Sequence, residues 1–275
     1  MLKRLKQVNI GLLVGLVILL SISLLGLFAP WIAPHDPLAV NLAARLQSPS
    51  WTYPFGTDHL GRCILSRIIY GIRISATSAL IIMFFTMLIS VPIALLTGYV
   101  RGRSDNFMMR IIDSTLAIPD IVLTIAIVGL LGPGLVNMIF AIVVVRWASY
   151  VRFIRSLVIK ISQEDYIFSA RMAGNSHFRI LKRYILPQIA MPILVFSALD
   201  LGKIVLNIAS LSFLGLGSQP PTPEWGAMLN DATDYFQISP YVMFFPGLAI
   251  VLFVLSCQLV SERLGKHDIT FSKEV

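Results

Sequence analysis

Charge is scarce in this chain. Of 275 residues only 13% are Asp, Glu, Lys or Arg, against about a quarter in soluble domains. Cysteine is scarcer still: Cys63 and Cys257 stand far apart in unlike segments, which argues against a disulfide framework or a cysteine-built metal centre. His35, His59, His177 and His267 show no paired spacing for a metal, and the 10 Met read as apolar filler rather than a metal relay. A G-x-x-x-x-G-K-[ST] loop is absent, because Gly202-Lys203 and Gly265-Lys266 are followed by Ile204 and His267. ATP hydrolysis would therefore belong to another polypeptide. The apolar runs also lack any Ser-His, Cys-His, paired-Asp or H-E-x-x-H arrangement, so an intramembrane enzyme has no support.

Apolar sequence is abundant instead, at 56% hydrophobic residues and a mean hydropathy of +0.81. A helix of about 20 apolar residues crosses the bilayer hydrocarbon. Six runs approach or exceed that length: Ile10–Phe28, Ala76–Val100, Ile111–Gly132, Leu135–Tyr150, Ile189–Leu211 and Tyr241–Val260. The first is expected to be a retained span, being longer than a signal-peptide core. Pro92, Pro119 and Pro192 fall inside spans as expected bend points.

Of the 22 Lys and Arg, 17 lie in one alternating set of connections, beginning with Lys3, Arg4 and Lys6, while only Arg45, Arg62, Arg67 and Arg73 lie in the other. The richer side is expected to be cytoplasmic, with both termini inside. The net charge of +8 thus reflects topology and lipid contact, not nucleic acid. The expected class is an all-α integral membrane protein with six transmembrane helices, multi-pass in a bacterial cell membrane.

Residues 1–75 are expected to hold the first span and an extracytoplasmic loop, 76–260 the core, and 261–275 a cytoplasmic tail. Within the external loop, Ile64, Leu65, Ile68, Ile69 and Ile72 share one helical face with Arg62, Arg67 and Arg73 elsewhere, which predicts a short helix on the membrane surface.

The cytoplasmic connection 151–188 contains Asp165–Gln188, DYIFSARMAGNSHFRILKRYILPQ. It reads as a helix, a break near Gly174–Ser176, and a second helix stopped at Pro187. Ala170, Ala173 and Gly174 would give the first helix a side with little bulk on which another protein could dock. Arg171, Arg179, Lys182 and Arg183 would pair with acids there or with anionic lipid. An ordinary basic loop is the plain alternative.

The spacing S-A-R-M-A-G followed by R-Y-I-L-P resembles the E-A-A-x-x-x-G and L-P signature of ABC-importer permeases. That resemblance implies a type I importer permease fold, and a coupling helix built from Phe168, Ser169, Ala170, Arg171, Ala173, Gly174, Leu186 and Pro187 that docks on a separate ATPase. Phe168 replaces the leading Glu, Ser169 the first Ala and Tyr184 a common His, leaving Glu164 and Asp165 as the nearby acids. Gly56-Thr57-Asp58-His59-Leu60-Gly61-Arg62, with Cys63 at a common Asp position, and Ser212–Gly217 with Pro221–Gly226 resemble blocks of the dipeptide, oligopeptide and nickel permeases, in their C-type subunit. The implied partners are a similar second permease, two ATP-binding subunits that hold ATP and Mg, and an extracytoplasmic substrate-binding protein. No cofactor is implied in this chain. Asp58, His59, Arg62, Glu224 and Trp225 are candidate contacts for the binding protein, and the implied cargo is nickel, a metal chelate or a small peptide.

Charges inside spans need a partner or a watery path. Asp200 and Lys203, at i and i+3, are expected either to neutralise each other or to line the translocation path. Asp113 and Arg146 read as interfacial anchors, and Asp120 as a support for the bend at Pro119. The rival reading is a self-contained secondary transporter or channel driven by an ion gradient.

Overall fold

The computed structural model describes residues 10–271. Lys3, Arg4, Lys6 and the end of the expected tail, 272–275, lie outside the described residues. Among the described residues, five helices are long and apolar enough to cross a membrane, and a bent pair can make a sixth span.

Helix α1 (Ile10–Leu27) is followed by the single turn α2 (Ala29–Ile32) and a loop that leads into α3 (Ile64–Val100). The expected surface helix is thus not a separate element: Ile64–Ile74 forms the first turns of a 37-residue helix. Its isoleucines face protein, since Ile64, Ile68, Ile69 and Ile72 are all buried. At 1.5 Å per residue α3 is about 55 Å long, well beyond the roughly 30 Å of hydrocarbon, so it reaches past the bilayer.

The expected third span is broken. Helix α4 (Arg103–Leu116) and α5 (Asp120–Leu131) meet at 87°. Ile118 precedes Pro119, which disfavours helical geometry at Ile118 and removes an N–H at the proline. Asp120 then starts α5 and its carbonyl accepts the Thr124 hydroxyl at 2.7 Å. Two arginines of α6 (Leu135–Ser162) hold α4 in place: Arg155 grips Asp105 through two bonds of 2.8 and 2.7 Å, and Arg152 pairs with Asp113.

After α6 come α7 (Asp165–Met172), α8 (His177–Ile180), a π turn over Leu181–Ile185, and α9 (Leu186–Phe213). The second helix of this segment was expected to stop at Pro187. It continues instead, because Pro187 sits in the first turn of α9 and the wider hydrogen-bond spacing of the π turn absorbs the break. The chain therefore runs as one span from His177 to Phe213. Helices α10 (Trp225–Ala232) and α11 (Tyr241–Phe271) complete the chain.

The α1, α3, α6, α9 and α11 helices pack side by side around two apolar cores. One joins Ile82, Ile142, Ile204, Ile208 and Trp225. The other joins Ile112, Tyr150, Ile154, Ile167, Ile180 and Ile189 at the α7 end.

Candidate functional site

At the α7 end, α7 packs on the second apolar core through Ile167. Ile167 and Ala170 are buried, while Phe168 is 65% exposed, Met172 75% and Phe178 73%. Ala170, Ala173 and Gly174 were expected to give α7 a small face for an outside partner. Ala170 is instead buried against the molecule itself, whereas Ala173 and Gly174 are exposed. The exposed surface of this segment carries large apolar side chains, with Tyr166, Phe168, Met172 and Phe178 flanked by exposed Glu164, Asp165 and Arg171.

Two local devices fix this segment. Gly174 has φ +78°, a left-handed conformation that ends α7, with Gly174 N–H bonded to the Arg171 carbonyl at 3.0 Å. Ser176 caps α8 by accepting the Arg179 N–H. A third anchor comes from α3: the Tyr99 hydroxyl lies 3.2 Å from Arg171 Nε and 3.1 Å from His177 Nδ1. Tyr99 had no role in the sequence reading, because nothing local marks a tyrosine that docks 72 residues away.

At the opposite end, the two distant glycine- and proline-rich blocks form one unit. Asp58 accepts the N–H groups of Leu60 and Arg62 at 2.9 Å each, and Arg62 Nε at 2.7 Å. Arg67 is buried between Asp58 at 3.5 Å and Asp231 at 3.8 Å. Glu224 caps α10, accepting from Gly226 and Ala227 N–H at 3.0 and 2.9 Å and from the Ser75 hydroxyl at 3.2 Å. Its complete burial raises its carboxyl above the ordinary value, and the four hydrogen bonds from Gly226, Ala227, Ser212 and Ser75 oppose that rise. Trp225 Nε1 donates to the Ile68 carbonyl at 3.1 Å.

Of the five candidates for contact with a binding protein, Asp58, Arg62, Glu224 and Trp225 are buried and His59 alone is half-exposed. Those four instead hold the loop of Asp58 and the helix of Trp225 against α3.

Midway along the bundle, Asp200 does not pair with Lys203. Arg146 supplies Nε at 3.1 Å and its other terminal nitrogen to the same carboxylate, and the Tyr150 hydroxyl adds a bond of 2.9 Å. Arg146 is thus a buried partner on α6 rather than an interfacial anchor, and Asp200 turns inward with 5% exposure. Lys203 is exposed. The i, i+3 spacing concealed this, because the better-matched cation lies 54 residues earlier.

Residues 90–267 match the family described as binding-protein-dependent transport system inner membrane component, and residues 1–49 match the N-terminal TM domain of oligopeptide transport permease C. The chain belongs to this family of inner-membrane permeases. Such permeases are the multi-pass membrane subunits of ABC importers. The permease is 38% identical to the nickel transport system permease protein NikC of Escherichia coli K12, over 92% of this chain and 91% of that one. It is 39% identical to the dipeptide transport system permease protein DppC of Haemophilus influenzae, over 93% and 89%. Its fold resembles the MetNI methionine ABC transporter in inward-facing form, with a TM-score of 0.60 and 20% identity over 73% of this chain and 95% of that one.

Proposed function

We propose that this permease forms half of a translocation pathway with a similar second subunit, and that separate ATPases drive it through α7 and α8. The exposed apolar tip of Phe168, Met172 and Phe178 carries the reading. Such a surface in a charged, water-facing segment is costly unless a partner covers it. Glu164 and Asp165 supply acids beside Phe168, one turn or less from the position where the family pattern has Glu. With this tip cytoplasmic, as the placement of Lys and Arg favours, the Asp58 and Trp225 unit is extracytoplasmic. There His59 and the loop tips would meet a binding protein.

ATP binding would draw two ATPases together and move the grooves that hold α7, and the rigid segment would pass that motion to α9. The cargo would be a nickel ion or its chelate, or a small peptide, the two classes that the names of NikC and DppC supply. The resemblance around Leu199–Lys203 and Ala209–Gly217 leans slightly towards the nickel or metal-chelate branch.

The test is reconstitution with both permeases, the ATPases and the binding protein. Gly174→Trp and Phe168→Asp should insert normally and abolish cargo-stimulated ATPase activity; wild-type stimulation in either would overturn the assignment. Uptake competition between free dipeptides and nickel chelates then separates the two cargo classes. Cargo uptake by the purified chain alone, without ATP, would instead favour a secondary transporter.

A further inference from the structure

With Asp200 committed to Arg146 and Tyr150, Lys203 has no ion-pair partner among the described residues. It lies inside the apolar span His177–Phe213, 10 residues before its end. A charged side chain within a span faces a partner or a watery path rather than hydrocarbon. The buried side of α9 is taken by Gly202, Ile204, Val205, Ile208 and Ala209, packed towards other helices of the same chain. The opposite side carries Lys203, exposed Leu206, and half-buried Asn207 and Ser210, the Ser210 hydroxyl bonding back to the Leu206 carbonyl. A dry contact with a second permease would need one matched acid. The free ammonium of Lys203 with the Asn207 amide one turn away instead suits a hydrated passage.

We infer that Lys203 is a selectivity residue of the translocation path, where its ammonium group meets a carboxylate on the cargo. This rests on the proposed pathway along α9. The carboxylate is the C-terminus of a peptide or a carboxylate of a metal chelator, since either presents the same charge to the lysine. The ammonium would act as a mobile point charge that favours anionic over cationic cargo without holding it in one geometry.

The experiment uses the whole transporter in proteoliposomes with Lys203→Cys, Lys203→Arg and Lys203→Glu. Both native cysteines, Cys63 and Cys257, are buried, so in this chain an impermeant methanethiosulfonate should label only the introduced thiol, read on the separated subunit. The cargo pairs are dialanine against its C-terminal amide, and nickel citrate against nickel ethylenediamine. Lys203→Arg should keep the wild-type preference, while Lys203→Glu should lower uptake of the carboxylate member of the transported pair at least tenfold relative to the other. Aminoethyl modification of Lys203→Cys should restore that preference, and sulfonatoethyl modification should not. Response in only the peptide pair or only the nickel pair identifies the source of the carboxylate. A labelled cysteine with an unchanged cargo ratio would overturn the selectivity role and leave the pathway standing. An unlabelled cysteine during ATP-driven turnover would overturn both and place Lys203 against the second permease.

Discussion

The Arg171 guanidinium lies over the ring of Tyr99, 4.9 Å from its centroid, with Nε 3.2 Å from the tyrosine hydroxyl. The α7–α8 tip proposed to meet the ATPase is thereby fastened to α3 as well as to α9. Cation–π contacts of this kind contribute about 0.5–2 kcal/mol, and each hydrogen bond about 1 kcal/mol. Tyr99→Phe keeps the ring and loses the bonds to Arg171 and His177. It should reduce cargo taken up per ATP by several-fold with normal assembly, and Tyr99→Leu should reduce it further. The ratio of uptake to hydrolysis in proteoliposomes is the measurement.

Asp200 is the acid of a buried pair, and removing it strands Arg146. Asp200→Leu should cost about 3–5 kcal/mol, as lone buried charges do, and lower the melting temperature in detergent. The double variant Arg146→Met with Asp200→Leu should recover most of that loss. Equal melting of the single and double variants would contradict a paired origin.

Glu224 responds to pH in the sense opposite to a salt-bridged acid. Its carboxyl titrates above the ordinary value because burial disfavours the charged form. The folded state therefore holds the proton more tightly than the unfolded chain. The resulting stabilisation is complete below the ordinary carboxylate range and is lost as pH rises through the raised value. Glu224→Gln keeps an acceptor for the α10 cap and should flatten this part of the pH profile. A melting series on wild type and variant, from mildly acid to neutral pH, checks both direction and residue.

Two glycines limit how α10 can be altered. A Cβ on Gly71 would lie 2.8 Å from Trp225 Cδ1, and one on Gly226 would meet the Ala209 backbone carbonyl. Gly226→Ala cannot be relieved by a side-chain shift and should cost several kcal/mol or prevent folding. Gly71→Ala presses on the indole and, less tightly at 3.2 Å, on the Pro223 carbonyl, and should be milder. Comparative yields of monodisperse protein after detergent extraction would rank them.

Most span positions and the break after α7 at Gly174 were legible in the sequence, because long apolar runs and a left-handed glycine act locally, whereas Pro119 read as a bend inside one span and Pro187 as a stop. What escaped was side-chain partnership across distance. Asp200 looked paired with Lys203 because they are three residues apart, yet Arg146 on α6 offers two donors and a buried setting. Ile64–Ile74 looked like a helix on lipid because one face is apolar, and amphipathicity does not distinguish a lipid surface from a protein one. The Asp58 and Glu224 blocks looked like partner surfaces because they are polar loops, but their polarity is consumed internally by Arg62, Arg67, Ser75 and the α10 backbone.

Trp225 grips α3 at Ile68 and Arg171 grips it at Tyr99, with no interruption of helix between the two sites. The angular phase of one grip is consequently set by the other. A single residue inserted near Ile81 would turn the far half by about 100° and bring either the tryptophan or the tyrosine out of register. The length of α3 in this permease is therefore a gauge, tolerant of substitution along its lipid face and intolerant of insertion.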